Sequence, residues 1–196
     1  MPTWDDIRRL YAAAGHPWFT GAWNLNLFGV RRLARPNTFD DSIGVAYEDG
    51  VGRRLVELWE ATTDPGTYWL EHPMNVNGTA VLAVGCHRSL WQLGMHGGPT
   101  GYAALVQVSA CAVWRDSDRD TVVDPEPRVL DTGLFGINLH RASASGTSTT
   151  VDRWSAGCQV LRRPGDLDRV LELVRTQQLA GKGSRVTYTL FDDDAF

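Results

Sequence analysis

The chain has 196 residues, which is enough for one domain with a core that needs no disulfide or metal to hold it together. Its 19 basic and 23 acidic residues give a net charge of −4, which argues against a nucleic-acid partner because phosphate binding needs a concentrated positive field. Hydrophobic residues make up 43% and charged residues 21%, and this ordinary globular composition excludes a disordered chain.

The N-terminus shows no secretory signal, because two acids occur by position 6 and no basic segment precedes an apolar one. The longest nearly apolar stretch, Tyr102 to Trp114, is shorter than the roughly 20 residues of a membrane helix. An odd number of cysteines, Cys86, Cys111 and Cys158, leaves at least one thiol free. We therefore expect a protein that is cytoplasmic as synthesised and has no membrane partner. Its oligomeric state stays open.

The first predicted element is a helix. Thr3 is a favourable N-cap, and apolar residues recur at helical spacing from Trp4 to Ala14. Gly15 and Pro17 then end the pattern.

Strand patterns dominate from there to about residue 160. Apolar and polar residues alternate over 43–47, Asp49-Gly50 forms a turn, and a partner strand covers 55–60. Further strands are predicted over 79–84, 90–93, 103–114 and 135–140. The polar segments 115–131 and 141–153 are predicted surface loops, and the second has six Ser or Thr among 13 residues. We expect that loop to be mobile.

After a break at Pro164-Gly165, Asp166 caps a second predicted helix, and a last strand covers 186–190. The sequence therefore predicts a mainly β fold with peripheral helices. Residues 1–39 would be an N-terminal helix and extension packed on the domain, and residues 40–196 would be the domain that carries the site.

The strongest chemical signal combines His140 with the segment Ser155-Ala156-Gly157-Cys158. Strand periodicity places Asn138 and His140 on one face. A thiol needs a base or a neighbouring positive charge to act as a nucleophile near neutral pH, and His140 is the nearest base upstream of Cys158. A buried thiol and an unrelated surface histidine would give the same pattern, so both interpretations stay open from the residues alone.

The segments Ile137-Asn-Leu-His-Arg141 and Ser155-Ala-Gly-Cys-Gln-Val-Leu161 resemble the active-site signature of the L,D-transpeptidase (YkuD-like) catalytic domain family. That signature begins with a histidine, which is followed by a loop and then by four consecutive residues. The first of these four is Ser or Thr, the second is usually His, the third is Gly and the fourth is Cys. Here 14 residues separate His140 from Ser155, which is similar to the family spacing. Upstream, the segment 62–68 resembles the family's Thr-Pro-x-Gly-x-Phe segment with an aspartate inserted before the proline. The resemblance covers about residues 40 to 162.

The resemblance implies an L,D-transpeptidase-like β-sandwich or barrel and a cysteine acyl-transfer enzyme for peptidoglycan stem peptides. Cys158 would be the nucleophile, His140 the general base and Ser155 a residue that braces the turn or orients the histidine. Backbone N–H groups at Gly157 and Cys158 would bind the oxyanion. The thioester would pass to an amine or to water, without any cofactor or metal. Such a protein would reach the cell wall by phage lysis or dedicated secretion.

Four further residues are predicted to contact the substrate. Arg141 is the nearest basic residue after His140, Trp154 would stack on the substrate, and Asn138 shares the face of His140. Ala156 departs from the family, since histidine is usual at this position. His96 would replace that missing histidine in the cleft.

Three alternatives remain. A non-catalytic cell-wall or protein-binding module on the same fold is favoured by Ala156 and Val160, which depart from the family pattern. A papain-like pair would need Cys86 or Cys111 before His140. A zinc site would use histidines and cysteines that show no short ligand spacing. An enzyme predicts a reactive Cys158 thiol with a pKa well below about 8.5, and a binding module does not.

Overall fold

A computed structural model of the protein describes residues 1–32, 36–124 and 130–193. The fold is mainly β, which confirms the predicted class. Three helices, α1 (Trp4–Ala13), α2 (Thr67–Glu71) and α3 (Pro164–Leu179), accompany eleven strands in the described part of the chain. The strands are β1 (Asn26–Arg31), β2 (Asp41–Glu48), β3 (Arg54–Thr62), β4 (Thr79–Leu82), β5 (Gly85–His96), β6 (Tyr102–Gln107), β7 (Cys111–Asp116), β8 (Leu130–Gly133), β9 (Leu139–Arg141), β10 (Gln159–Leu161) and β11 (Arg185–Asp192).

Eight strands close into a barrel in the order β1, β11, β5, β6, β9, β10, β3 and β2. The remaining strands form a separate sheet in the order β4, β7, β8. Because β1 pairs with both β2 and β11, the predicted division at residue 39 is wrong as a boundary of the main domain. The barrel begins at Asn26, and only α1 and the segment after it are peripheral.

The main core lies between the barrel, the small sheet and α3. Leu167, Val170 and Leu171 of α3 pack into the same buried cluster as Leu139 and Leu161 of neighbouring strands. A second buried cluster fixes α1, which begins at a capping box formed by Thr3 and Asp6. No helix in the described ranges has both the length and the hydropathy of a membrane span.

The predicted strand over 103–114 is wrong, because the chain turns between β6 and β7 and the two strands belong to different sheets. Gln107 stabilises this turn. Its side-chain amide nitrogen, Nε2, donates to the carbonyls of Ser109 and Gly133, and its Oε1 accepts from the N–H groups of Phe135 and Ile137. These side-chain bonds satisfy the backbone of 135–137 in place of a strand ladder. The predicted strand over 135–140 is therefore reduced to β9.

Candidate active site

Cys158 and His140 lie on adjacent chain segments, because β9 and β10 pair in parallel with Gln159 opposite Leu139. Leu139 belongs to the main core, and alternation along the strand places Asn138 and His140 on the other face. Cys158 immediately precedes β10 and packs against a separate small cluster that includes Val160. The backbone N–H of Asn138 lies 3.4 Å from the Cys158 sulfur. The parallel pairing thus brings the motif's two halves together.

The Cys158 thiol is held by the backbone. Besides the contact with the Asn138 N–H, the Cys158 S–H donates a hydrogen bond to the carbonyl oxygen of Gly136, with a sulfur–oxygen distance of 3.3 Å. The residue is partly exposed, yet burial of the sulfur raises the pKa of Cys158 to about 11, and the Asn138 N–H only partly offsets this effect. The expectation of a thiol pKa well below 8.5 is therefore wrong for this conformation, in which the thiol is neutral.

His140 is 2% exposed, and its side-chain hydrogen bonds to the described residues involve Nδ1. Nδ1 lies 2.8 Å from the carbonyl oxygen of Arg141 and 3.2 Å from the hydroxyl of Tyr102. Because a carbonyl only accepts, Nδ1 carries the proton. Nε2 then keeps its lone pair, which is the tautomer that a general base requires.

His96 stacks on His140, with ring centroids 4.0 Å apart and planes 14° from parallel. Asn138 Oδ1 accepts from the N–H of Gln107, so its amide nitrogen donates to His96 Nδ1 at 3.1 Å. Burial, and then the neighbouring His96, lower the pKa of His140 to about 3. Burial also lowers the pKa of His96. Both rings are neutral at pH 7.

Tyr102 is a site residue that the sequence interpretation missed. Its hydroxyl lies 3.0 Å from the Arg141 carbonyl oxygen, and the Arg141 guanidinium stacks over its ring at 4.0 Å. Tyr102 begins β6 directly opposite His96, at the end of the β5–β6 hairpin. The glycines at 97, 98 and 101 mark that hairpin in the sequence, and they could have predicted the pairing.

Ser155 and Gly157 shape the turn before the cysteine. The Ser155 hydroxyl donates to the carbonyl of Cys158 at 2.8 Å and accepts from the N–H of Gly157 at 3.2 Å. Ser155 is thus a positioning residue for the turn. The Gly157 N–H is engaged with the Ser155 hydroxyl in this conformation, and its role as an oxyanion donor stays a prediction. Among the described residues no acceptor contacts the Cys158 N–H, so that group is the available donor.

Gly157 also shows why the turn needs glycine. Its φ of +115° is a conformation that side chains rarely adopt, and a Cβ there would collide with the carbonyl oxygen of Ala80.

The upstream segment at 62–67 supports this turn. The Gly66 N–H donates to the Ser155 carbonyl at 2.8 Å, and a Cβ at Gly66 would collide with the backbone of Asp152. The Gln159 side chain donates to the Thr63 carbonyl at 3.2 Å. The segment therefore positions the residues on both sides of Cys158, and it contributes no side chain to the thiol.

A buried ionic network holds that segment. Arg31 is 4% exposed, forms an ion pair with Asp64 at 2.8 Å and donates to the Thr63 carbonyl. Asp41, 3% exposed, accepts from the N–H and hydroxyl of Thr63. Asp41 is therefore a buried member of this network and not a solvated surface acid. Burial, and then the Asp64 carboxylate, raise the pKa of Asp41 to about 7.

A groove with a volume of about 260 Å³ lies beside the motif, and Ala156 lines it together with Arg115 and Phe135. His96 is not among the residues that line this groove and stacks on His140 instead. Its predicted role in place of the histidine missing at position 156 stays a prediction. Trp154 is 44% exposed and is free to contact a ligand. The Ser/Thr-rich loop is anchored at Ala142 and Val151, which are buried in the small cluster against which Cys158 packs.

The histidines and cysteines of the described ranges do not converge on a common metal position, and the one group of potential metal ligands there is acidic. Comparisons with protein-family models, with curated proteins and with solved structures find no match to this chain.

Proposed function

We propose that the protein is a cysteine acyl-transfer enzyme of the L,D-transpeptidase type that acts on peptidoglycan stem peptides. The observation that carries the proposal is the tautomer of His140, since its Nδ1 is anchored to the Arg141 carbonyl while Cys158 lies across the β9–β10 pair. Nucleophilic catalysis by a thiol needs a base near the sulfur, and here a buried histidine in the base-competent form lies on the strand that pairs with the segment of a cysteine on a tight glycine turn. The family resemblance of the two segments supplies the substrate class.

The reaction starts from a neutral pair. As the Cys158 sulfur attacks the peptide carbonyl carbon, His140 Nε2 takes the thiol proton, and the imidazolium then returns it to the departing amine when the carbon–nitrogen bond breaks. The resulting thioester is attacked by an acceptor amine, which gives a crosslink, or by water, which gives cleavage. Either acceptor gives up a proton that restores the thiol. No oxidant, metal or organic cofactor enters this sequence of steps.

Charge in the transition state must be stabilised near the turn. The Cys158 N–H is unengaged among the described residues and serves as an oxyanion donor, a contribution of about 3–4 kcal/mol for one such group in comparable enzymes. The Asn138 N–H, which now faces the sulfur, is the second donor near the reacting atoms. Arg141 and Trp154 border the site and would contact the carboxylates and sugars of the stem and its glycan.

A non-catalytic module that binds the cell wall or a protein is the second candidate. It is favoured by the raised pKa of Cys158 and by the thiol's contact with the Gly136 carbonyl, both of which describe an unreactive sulfur. For the enzyme and for a module that binds the cell wall, the site of action would be the cell wall, reached after phage lysis or through dedicated secretion.

The test is incubation with purified stem-peptide fragments and mass analysis of the products. We expect new crosslinked or shortened peptides with the wild type and none with Cys158→Ala. Cys86→Ala, which removes another partly exposed thiol, is the matched control and should retain turnover. Binding of the fragments without any product, by wild type and Cys158→Ala alike, would favour the binding module instead.

A further inference from the structure

Four aspartates lie within nine residues of the sequence at and just after the end of β7. Asp116 is the last residue of the strand, and Asp118, Asp120 and Asp124 lie in the segment after it. The last three are exposed, and each offers a carboxylate oxygen within 4.8 Å of the others. Asx-type bonds order this segment, because the Asp118 and Asp120 carboxylates accept backbone N–H groups two residues ahead. Such exposed clusters are common, so this grouping alone defines no site.

The buried member of the group points to a ligand. Asp116 is 1% exposed, and its Oδ2 accepts the backbone N–H of Asp124 at 3.2 Å, so its carboxylate lies against the backbone of one member of the cluster, although its oxygens are not among those within 4.8 Å of one another. Its Oδ1 is buried without a hydrogen-bond partner. A buried carboxylate oxygen without a donor is costly unless a cation or another group satisfies it.

No basic residue in the described part of the chain neutralises this group. Arg115 is adjacent, but its guanidinium pairs with Asp131 at 2.8 Å and donates to the Gly78 carbonyl. Arg119 is exposed within the segment, and no ion pair joins it to the four acids in the described ranges. The clustered carboxylates therefore repel one another, and a divalent cation would remove this repulsion.

We propose that Asp116, Asp118, Asp120 and Asp124 form a binding site for a divalent cation and that calcium is the preferred ion. Oxygen-only ligands from flexible carboxylates suit Ca²⁺, whereas Mg²⁺ demands a rigid octahedron and retains its water. The aspartates occupy positions 1, 3, 5 and 9 of the twelve-residue calcium loop, in which position 9 often acts through water.

Two departures from that loop bear on affinity. Thr121 replaces the glycine of position 6, and Pro127 stands where the bidentate glutamate belongs, outside the described residues. We therefore expect weak binding, with a Kd on the order of 10⁻⁴ M, in the range of extracellular calcium modules. The bound ion would fix the end of β7 beside Arg115, whose guanidinium lies over the Phe135 ring at 4.7 Å and lines the groove at Ala156.

Isothermal titration calorimetry with CaCl₂ on the full chain, after dialysis against a chelator, tests this site. We expect one saturable site, at least about tenfold weaker binding of MgCl₂, and at least about tenfold weaker calcium binding in the double variant Asp118→Asn/Asp120→Asn. Asp168→Asn, which neutralises an exposed aspartate on α3, is the control and should bind calcium as the wild type does. The site is refuted if calcium gives no saturable binding at millimolar concentration, or if the double variant binds as well as the control.

A second measurement tests the calcium site on the wild type alone, so it does not depend on whether the double variant folds. The backbone amides of Val122 and Asp124 donate to the Asp120 and Asp116 carboxylates at 2.6 and 3.2 Å. Their NMR signals in the wild type should shift saturably with calcium. Shifts confined to other regions of the chain would place the ion elsewhere and contradict the proposal. Neither measurement depends on the chemistry of Cys158.

Discussion

Replacement of His140 by glutamine should make the protein more resistant to acid. Burial of the imidazole lowers the folded-state pKa of His140 from 6.5 to about 3. In the unfolded chain His140 is protonated below about pH 6.5, whereas in the folded protein it is protonated only below about pH 3. The folded state therefore loses stability as the pH falls from about 6.5 to about 3. When the pH is lowered from 7.5 to 4.5, His140 alone should reduce the unfolding free energy of the wild type by about 2–3 kcal/mol. The full effect of this pKa shift, reached only below about pH 3, is about 5 kcal/mol.

Urea denaturation of wild type and His140→Gln at several pH values between 7.5 and 4.5 measures this difference. The variant should be less stable near pH 7.5, where it lacks the Nδ1 bond to Arg141, and should lose less stability on acidification. His72→Gln, which removes an exposed histidine, is the control and should follow the wild-type slope. Parallel curves for wild type and His140→Gln would refute the argument that a neutral, desolvated imidazole is built into the site.

Three further substitutions test the support of the site. Gly66→Ala would place a methyl group against the Asp152 backbone and should cost about 1–3 kcal/mol in a denaturation experiment. Tyr102→Phe removes the hydroxyl that bonds the Arg141 carbonyl and should lower kcat/KM about tenfold, with a stability loss of about 1 kcal/mol. Arg31→Met leaves buried carboxylates without their guanidinium and should cost about 3–5 kcal/mol at pH 8, and less at pH 5, where Asp41 is protonated.

Each of these has a clear contrary outcome. Gly165→Ala, where a methyl group meets no atom, is the control for Gly66→Ala, and equal melting temperatures for the two would contradict the collision. Tyr102→Phe with unchanged kinetics would show that Nδ1 needs only the Arg141 carbonyl. A loss of stability in Arg31→Met that is the same at both pH values would contradict the assigned burial of its partner acids.

The mainly β class and the two long helices follow from residue patterns that are local. Thr3 with Asp6, and the apolar stripe of α3, act within one element, so spacing alone predicts them. The pairing of strands in a barrel, in contrast, depends on contacts between residues that are far apart in the sequence. The apolar pattern over 103–114 is continuous, but the chain leaves the barrel after Gln107 because that side chain supplies the bonds of a turn.

The candidate site divides in the same way. The motif predicts that His140 and Cys158 belong together, and the β9–β10 pairing places their chain segments side by side. Tyr102 and the Arg31–Asp41–Asp64 network depend on contacts between residues far apart in the chain, which spacing does not reveal. The sequence predicts a lowered pKa for the Cys158 thiol, whereas burial raises it. The direction of the shift is wrong because the sequence does not show how deeply the sulfur is buried.

The most direct test of the central claim is the mass of the intact protein after rapid quenching during incubation with stem-peptide fragments. The account predicts a covalent adduct with the mass of an acyl group, located on Cys158 by peptide mapping, absent in Cys158→Ala, and slower to form in His140→Gln. Product formation without any adduct in the wild type, or an adduct on Cys86 or Cys111, would contradict Cys158 as the nucleophile.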